Sequence, residues 1–438
     1  MIKIDSNYSE IISKLEGLGK LDKDFKYKEQ LIQLIDHKSK DIRVLAIKNL
    51  AKLKDIKLLK FFEKALKDEH SLARREGISA IGRLKDKKTI KLLIPFLKDG
   101  DPNIILQTLR ALEKFKNEKQ VLGYINKLKN HKNEQIKEYV KLLIASKNNS
   151  QDEFNDNQNL KNIAVEGDVI KTLKLLPDNV FDLVFTSPPY YNARDYSIYS
   201  SYEGYLDFLE KVFKETYRTT RTGRFFILNT SPVITPRISR KYSSTRHPIP
   251  FDIHHHLVKM GWVFIDDIIW AKPEASVGNR NGGFFQHRKP LGYKPNSVTE
   301  YVMVYRKGNE RLIDWNMKKY SKDLIKKSLV KEKYETSNLW QISPSSHKVH
   351  SATFPYKLCE KITKLYSYMD DLLFDPFGGV GTFAKSAVNN NRNFFFTELQ
   401  KKYVDYFCDN FDLGLFNGDK LNKRFKYNQF KSYLNKKI

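Results

Sequence analysis

Apolar residues in the first third of the chain recur three or four positions apart, which is the period of an amphipathic helix. The pattern returns after 31 residues, and six apolar positions match in three successive units within residues 41–131. The matched sets are Ile47, Ile78 and Leu109; Leu50, Ile81 and Leu112; Leu53, Leu84 and Phe115; Leu59, Ile90 and Val121; Phe62, Leu93 and Tyr124; and Leu66, Leu97 and Leu128. Each unit therefore predicts a helical hairpin that buries its apolar side against the neighbouring units.

Polar residues mark the point where each predicted hairpin turns. Asp55, Asp86 and Asn117 separate the two halves of the units, where a turn or a helix N-cap is required. The register continues into a half-unit at Val140, and residues 9–36 match only in part, as an irregular cap would. The whole pattern resembles the short HEAT-like repeats, although its period is below their usual value of about 40 residues.

The pattern changes after a polar, apolar-poor stretch at residues 147–159, which we interpret as a linker. From residue 160, short apolar strands alternate with helical stretches, as they do in α/β folds. We therefore predict an all-α HEAT-like repeat domain over residues 1–146 and an α/β domain over residues 160–438.

The charge balance indicates a polyanionic partner, because neutralising phosphates releases counterions and gives affinity without sequence preference. The formal net charge is +27. Residues 1–150 hold 34 Lys and Arg against 20 Asp and Glu, a net +14, which leaves +13 for the remainder. The coding bias of AT-rich genomes towards Lys, Asn and Ile explains the same numbers equally well. A basic helical solenoid suits either a DNA backbone or a protein partner, and the sequence favours neither.

The composition also argues against several classes of protein. No apolar run approaches the roughly 18 residues of a membrane helix, and the N-terminus lacks the apolar core of a signal peptide, so we expect a soluble cytoplasmic protein. Cys359 and Cys408 form neither a disulfide framework nor a zinc site. Three consecutive histidines at 254–256 lie on a predicted helix and point in different directions, which argues against a metal site.

The stretch FDLVFTSPPYY, residues 181–191, predicts a buried strand that ends in a stiff corner. Proline fixes φ and removes a backbone donor, so Pro188 and Pro189 can neither continue a sheet nor form a relaxed loop. Rigid corners at strand ends are where α/β proteins place their chemistry. A purely structural diproline turn is the alternative interpretation.

A second motif lies near the end of the chain. DLLFDPFGGVGTFAKSAVNNNRNFFFTEL, residues 371–399, predicts a strand, a glycine-rich turn, a helix and a second strand that ends in an acid. The glycines allow a tight turn and a close approach of a ligand to the backbone. Glu398 lies 17 residues after Gly381, where a carboxylate can bind both ribose hydroxyls of a nucleoside. A nicotinamide dinucleotide fits less well, because the motif G-x-G-x-x-G is absent.

Together, the S-P-P-Y corner and the D-P-F-x-G-x-G-T loop resemble the active-site motifs of the DNA amino-methyltransferases, over about residues 160–415. The corner precedes the loop, which corresponds to the β subgroup of that family. Ser187 before the prolines is most similar to the cytosine-N4 branch. The resemblance implies a Rossmann-like fold with permuted motif order, S-adenosyl-L-methionine as cofactor and double-stranded DNA as substrate.

The resemblance also assigns roles to individual residues. The implied catalytic residues are Ser187, Pro188, Pro189 and Tyr190. The implied cofactor-binding residues are Asp168, Thr353, Phe354, Pro355, Asp375, Pro376, Phe377, Gly378, Gly379, Gly381, Thr382 and Glu398. The Ser187 hydroxyl and the Pro188 carbonyl would stabilise the positive charge that develops on an attacking amine. Tyr190 would stack on a base that is flipped out of the duplex.

Residues 271–340 lie between the two motifs, where the β subgroup carries its target-recognition region. Within them, Arg280, His287, Arg288 and Lys289 have donors suited to guanine edges or phosphates. The resemblance implies methylation of the exocyclic N4 amine of cytosine in a restriction–modification system, with a cognate restriction endonuclease as a further partner.

Other interpretations stay open. Adenine-N6 methylation demands the same geometry, and the preference for cytosine rests on Ser187, where Asp or Asn is commoner in the adenine branch. The basic charge also permits an RNA methyltransferase, although the motif order favours DNA. An inactive solenoid-type binding protein is disfavoured because the site motifs are intact. Cytosine-C5 methylation is disfavoured because no cysteine follows the prolines.

Overall fold

The computed structural model of the chain contains two compact units, residues 1–150 and residues 151–438. The structure describes residues 7–145, 158–191, 199–235, 237, 239, 241–242, 244–276, 290–291, 297–308, 317, 320–334, 336–345, 355–411 and 423–436. Among these residues, no helix combines the length and the apolar character that crossing a membrane requires.

The first unit is built from helices that pair into hairpins. Its helices are α1 (Tyr8–Glu16), α2 (Lys28–Gln33), α3 (Lys40–Leu50), α4 (Leu59–Ala65), α5 (Ser71–Leu84), α6 (Ile90–Leu93), α7 (Pro102–Leu112), α8 (Lys119–Asn126) and α9 (Glu134–Ala145). The first helices of successive hairpins begin at Lys40, Ser71, Pro102 and Glu134, so the 31-residue period of the sequence is also the period of the structure.

The apolar positions that the repeat matches form one continuous core. Ile47, Ile78 and Leu109 are fully buried, and the remaining matched residues belong to the same cluster or pack against it. α5 packs between α3 and α7. The approach to α7 is close, because a Cβ added at Gly82 would lie 2.7 Å from the Cβ of Ala111. Stacking the hairpins therefore supplies the core that a single hairpin lacks.

Two of the three predicted caps are present. The side chain of Asp55 accepts a hydrogen bond from the backbone N–H of Lys57 at 3.0 Å. Asp86 accepts the equivalent bond from Lys88 at 2.8 Å. Asn117 departs from this pattern, because α8 begins without a side-chain cap.

The second unit is built around a nine-stranded sheet. The strands of the unit are β1 (Ile163–Glu166), β2 (Phe181–Thr186), β3 (Thr220–Thr230), β4 (Val233–Thr235), β5 (Thr245–His247), β6 (Trp262–Ala271), β7 (Thr299–Lys307), β8 (Leu339–Gln341), β9 (Leu372–Asp375), β10 (Asn393–Glu398) and β11 (Lys423–Lys426). The order in the sheet is β11-β1-β10-β9-β2-β3-β7-β6-β8, and β4 pairs with β5 separately. The strands from β11 to β3 are parallel, β7 is antiparallel to both of its neighbours, and β8 is parallel to β6.

Helices cover both faces of this sheet. They are α10 (Val169–Leu173), α11 (Tyr202–Thr219), α12 (Ile249–Met260), α13 (Lys322–Lys327), α14 (Tyr356–Tyr366), α15 (Thr382–Asn389), α16 (Lys401–Asn410) and α17 (Tyr427–Asn435). Alternate side chains of a strand enter opposite cores: Phe395 of β10 packs in the core with α11, α12 and α17, while Phe394 and Phe396 pack in the core with α14, α15 and α16. The predicted α/β class is therefore confirmed, as a three-layer fold.

β2 and β9 are neighbours at the centre of the sheet, but their connections leave in opposite directions. β2 continues through α11 to β3, whereas β9 continues through α15 to β10, and the two helices lie on opposite faces. Such a switch point leaves a crevice outside the carboxyl ends of the strands, where open α/β sheets bind their ligands. The S-P-P-Y corner follows β2 and the glycine-rich turn follows β9, so both motifs begin at this crevice.

Candidate active site

The catalytic corner and the glycine-rich turn are joined directly by a hydrogen bond. β2 and β9 pair in parallel, with Leu183 opposite Leu373. At the ends of these strands, the hydroxyl of Thr186 donates to Asp375 Oδ1 at 2.7 Å, and both side chains are buried. Asp375 Oδ1 also accepts the backbone N–H of Phe377 at 3.0 Å. Two motifs that lie far apart in the sequence therefore form one local structure.

The corner itself is partly enclosed. Pro188 is buried, whereas Ser187, Pro189 and Tyr190 are half-buried. A buried proline after a fully buried strand fixes the direction of its own carbonyl, because the ring locks φ and packing holds the ring. The corner thus presents polar groups from a rigid backbone.

Tyr190 is held by a polar cluster that the sequence did not reveal. Its hydroxyl donates to Glu300 Oε2 at 2.8 Å. The same carboxylate accepts a bond from Asn229 Nδ2 at 2.6 Å and an ion pair from Lys272. Burial, followed by the charge of Glu300, raises the pKa of Tyr190 well above its ordinary value, so the hydroxyl keeps its proton and remains a donor. The ring of Tyr190 is therefore pinned at its polar end.

Two acceptors near this cluster have no partner among the described residues. Glu300 accepts only, so the group of Asn229 that faces it must be the NH2, and the carbonyl Oδ1 is directed elsewhere. That Oδ1 and the hydroxyl of Thr230 are buried without a hydrogen-bond partner. Leaving a buried polar group unpaired costs about 1–3 kcal/mol. Both atoms lie at the carboxyl end of β3, beside the corner strand, and are available to a substrate.

The glycine-rich turn is shaped first by the aromatic rings beneath it. A Cβ at Gly378 would lie 2.4 Å from the ring of Phe396, and a Cβ at Gly381 would lie 2.1 Å from the ring of Phe407. Gly381 also has a φ of 76°, in the left-handed region. The tight turn predicted from the sequence is present. At these two positions, however, the close neighbour of the backbone is the protein's own core.

Glu398 organises the other side of the turn. Its Oε2 accepts the backbone N–H of Gly379 at 2.9 Å, and its Oε1 accepts that of Gln400 at 2.7 Å. Each carboxylate oxygen has a second lone pair, so two hydroxyl donors can still be bound. Burial raises the pKa of Glu398, while these two N–H donors oppose the rise because they favour the charged form.

The chemistry of these groups fits S-adenosyl-L-methionine. Two buried carboxyl groups, Asp375 and Glu398, line the turn, and burial raises the pKa of Asp375 to about 7. Acceptors of this kind suit ribose hydroxyls and a cationic sulfonium, and they repel a pyrophosphate. The site therefore fits a positively charged nucleoside that carries no phosphate.

Comparison with known proteins identifies the second unit. The profile of a family described as DNA methylase matches residues 181–409, which is more than half of the chain. The chain belongs to the DNA methylase family. S-adenosyl-L-methionine, which the sequence predicted, is the cofactor of this methylase. A HEAT-repeat profile matches residues 59–122, in the first unit.

The methylase is similar to bacterial methyltransferases. It is 30% identical to the orphan methyltransferase M.BamHII of Bacillus amyloliquefaciens, over 52% of this chain and 87% of that protein. It is 28% identical to the type II beta methyltransferase M.BslI of Bacillus sp. (strain NEB-606), over 55% of this chain but only 26% of that protein. A solved structure of TTHA0409 from Thermus thermophilus with S-adenosyl-L-methionine aligns over 57% of this chain and 92% of that chain, at 25% identity and a TM-score of 0.45.

The remaining predicted cofactor residues of the methylase lie around the same edge of the sheet. Asp168 follows β1 and caps α10, since its Oδ1 accepts the N–H of Lys171 at 2.8 Å. Gly167 N–H donates to the carbonyl of Glu398 at 2.9 Å, which keeps Asp168 at this edge. Pro355 is buried and precedes α14. Pro376, Phe377 and Thr382 belong to the turn and to the start of α15. Thr353 and Phe354 lie outside the described residues.

The predicted recognition region of the methylase needs a correction. Within residues 271–340, β7 is an integral strand of the central sheet, paired with both β3 and β6. β7 also carries Glu300, so part of this region supports the active site instead of forming a separate insertion. Arg280, His287, Arg288 and Lys289 lie outside the described residues.

The three histidines of the methylase lie on α12, as predicted. His254 Nδ1 is 3.0 Å from the hydroxyl of Tyr305, and His256 Nδ1 is 2.7 Å from Glu210 Oε2. Their partners differ, which agrees with side chains that point apart. In the described part of the chain, no group of three or more His, Cys, Asp and Glu side chains is arranged to hold a metal ion.

Proposed function

We propose that this protein transfers a methyl group from S-adenosyl-L-methionine to the exocyclic N4 amine of cytosine in duplex DNA. The observation that carries the proposal is the hydrogen bond between Thr186 and Asp375, because it fixes the amine-binding corner beside the cofactor turn. When bound, the cofactor supplies the methyl group from its sulfonium. The chain supplies orientation and acceptors, and a well-oriented pair of reactants can lower a barrier by about 7–11 kcal/mol.

The corner provides what an exocyclic amine requires. The lone pair of such an amine is delocalised into the ring, so the amine must become tetrahedral and positively charged as it attacks. The Ser187 hydroxyl oxygen and the Pro188 carbonyl would accept its N–H bonds and stabilise that charge. The unpaired Asn229 Oδ1 is a further acceptor on the neighbouring strand. These fixed acceptors need little reorganisation during the reaction.

Tyr190 would receive the target base once it has left the duplex. An amine inside the double helix is out of reach, so the base must be flipped into the site. Stacking of a base on an aromatic ring is worth about 1–3 kcal/mol. The bond from Tyr190 to Glu300 keeps the ring in place, and Lys272 balances the charge of that carboxylate.

The cofactor turn would hold the nucleoside end of the methyl donor. Glu398 would accept the ribose hydroxyls with its two remaining lone pairs, while Asp375 and Asp168 lie at the ends of the flanking strands. Thr353, Phe354, Pro355, Pro376, Phe377, Gly378, Gly379, Gly381 and Thr382 complete the proposed cofactor set. The preference for cytosine over adenine rests on Ser187 in the motif T-S-P-P-Y. Protection of host DNA beside a cognate restriction endonuclease is the setting we propose, since several relatives are named type II methyltransferases.

The test uses the full-length protein, methyl-labelled S-adenosyl-L-methionine and unmodified duplex DNA. We expect label in N4-methylcytosine after digestion of the DNA to nucleosides. Label in N6-methyladenine would overturn the choice of base, and label in RNA alone would overturn the substrate class. Ser187→Ala should lower turnover about 100-fold or more while the cofactor affinity stays within a few-fold. Ser276→Ala, at an exposed serine of the same unit, is the matched control.

A further inference from the structure

Basic residues in the first unit follow the same period as its core. Subtraction by 31 residues aligns three complete sets of Lys and Arg. They are Lys52, Arg83 and Lys114; Lys54, Lys85 and Lys116; and Lys57, Lys88 and Lys119. All nine lie where the first helix of a hairpin turns into the second, and we call this set the basic edge. Because the hairpins stack in register, each set forms a row along the solenoid.

The backbone repeats as faithfully as the charges do. Lys54 and Lys85 both adopt the left-handed conformation, with φ of 50° and 56°. Lys52 extends back to the preceding unit, where its Nζ donates to the carbonyls of Leu18 and Gly19. Lys114 does the same, since its Nζ donates to the carbonyl of Gly82 at 3.3 Å. The side chains of this row therefore run parallel to the stack and link one unit to the next.

The cations of different units influence one another. Burial lowers the pKa of Lys52, and the charges of Lys48 and Arg83 lower it further. Burial likewise lowers the pKa of Lys114, with contributions from Lys85, Arg83 and Lys54, all of which belong to earlier units. The basic edge is therefore a continuous positive surface.

Few acids neutralise this surface. Lys54, Lys57, Lys85, Lys88 and Lys119 are exposed, and none of them takes part in a salt bridge within the described part of the chain. The nearby Asp55 and Asp86 are occupied by capping the backbone. The basic edge thus has positive charge that only an external partner can neutralise.

The opposite edge of the same solenoid differs. The turns between hairpins, at residues 66–70, 97–101 and 128–132, also contain a row of exposed lysines at the same period. These turns hold four Lys against four Asp and Glu, whereas segments 51–58, 82–89 and 113–120 of the basic edge hold ten Lys and Arg against four. A coding bias towards lysine would load both edges alike. The asymmetry therefore indicates a function.

We propose that the basic edge binds the phosphate backbone of duplex DNA without reading its sequence. The proposal rests on the proposed function, because the DNA is the substrate of the methylase unit. Packed helices lie about 8–10 Å apart, so a row of three cations spans about 20 Å. That length corresponds to about six base pairs of DNA at a rise of about 3.4 Å. Lysine suits such contacts, since it acts as a point charge on a long flexible stem.

The test compares two full-length variants with the same loss of charge. Lys57→Gln, Lys88→Gln and Lys119→Gln together neutralise one row of the basic edge, and all three side chains are exposed. Lys67→Gln, Lys98→Gln and Lys129→Gln neutralise the equally exposed row of the opposite edge. Binding to a long unmodified duplex is measured by fluorescence anisotropy between about 50 and 200 mM salt, the range over which phosphate contacts are lost.

The slope of log affinity against log salt should become shallower by up to about 2.7 in the first variant, since each phosphate contact contributes about 0.9. The control should keep the slope of the natural protein. Equal slopes in all three proteins would overturn the proposal, and so would a basic-edge variant that loses affinity only for an acidic protein. Lys88→Gln alone, with an expected change of about 0.9, serves if the triple variant does not fold.

The measurement separates this proposal from the proposed function. Binding requires no turnover, so a shallower slope supports the basic edge even if no methyl group reaches the DNA. An unchanged slope together with normal methylation would overturn the basic edge alone. Methylation of saturating DNA by the first variant should keep the rate of the natural protein, because the basic edge belongs to the first unit.

Discussion

Replacement of Thr186 by Val removes the hydrogen bond between the corner and the turn and leaves the shape of the side chain almost unchanged. Thr186 is fully buried, and its hydroxyl lies 2.7 Å from Asp375 Oδ1. A hydrogen bond to a charged group contributes about 1.5–3 kcal/mol. If the bond holds the corner in its reactive position, turnover should fall by about 10- to 150-fold. Cofactor affinity should fall less, because Glu398 and its two N–H donors are untouched.

The same substitution changes the proton affinity of Asp375. Burial raises the pKa of Asp375 to about 7, and the hydroxyl of Thr186 opposes this because it donates to the charged form. Without that donor the pKa rises further, so the carboxylate is lost at a higher pH. The acidic limb of the pH–rate profile should therefore move to higher pH in Thr186→Val.

The assay combines steady-state kinetics across neutral pH with a measurement of stability. All four tryptophans of the chain lie in the second unit, so urea unfolding followed by tryptophan fluorescence reports on that unit alone. We expect Thr186→Val to lose about 1.5–3 kcal/mol of unfolding free energy. Thr186→Ser keeps the hydroxyl and should keep turnover within a few-fold and the pH profile unshifted. Natural turnover in Thr186→Val, or equal damage in Thr186→Ser, would refute the reasoning.

Two further predictions concern the aromatic ring and the turn. Tyr190→Phe keeps the stacking surface but loses the bond to Glu300, so its KM for DNA should rise less than that of Tyr190→Ala, which also loses about 1–3 kcal/mol of stacking; equal effects in the two variants would show that the ring does not hold the base. Gly381→Ala places a methyl group 2.1 Å from the ring of Phe407 at a φ of 76°, so tryptophan-detected unfolding should show a loss of about 2–5 kcal/mol. A stability equal to that of the natural protein would mean that the turn relaxes freely.

The repeat architecture follows from the sequence because every unit imposes the same constraints. A position such as Ile47, Ile78 and Leu109 must be apolar each time the hairpin recurs, so subtraction by 31 reveals the helices and their core. The same subtraction applied to basic residues would have revealed the basic edge. The missing cap at Asn117 shows where one unit departs from its neighbours.

The active site was predictable only as two separate motifs. Short motifs carry the residue types that the chemistry needs, but they do not say which side chains meet across the sheet. Glu300 had no local signal, since a single acid at the start of a strand is indistinguishable from a solvated one. Its importance arises from Tyr190 and Asn229, which the topology brings to it from two other segments.

The turn shows the same limit from the opposite direction. Its glycines were identified correctly, but the reason for two of them lies in residues further along the chain. Phe396 and Phe407 occupy the space that a side chain at Gly378 or Gly381 would need. Packing of this kind depends on distances between elements, which the sequence pattern alone does not contain.

The pairing of β2 with β9 has a consequence for synthesis of the chain. Leu183 and Leu373 are opposite each other but are roughly 190 residues apart, and at about 5–20 residues per second the ribosome needs about 10–40 s to travel between them. The helical repeats contact only near neighbours and can mature at once. During that interval one long edge of β2 waits without its partner, so a nascent polypeptide of this kind is exposed to mispairing and to chaperones before it can acquire any activity.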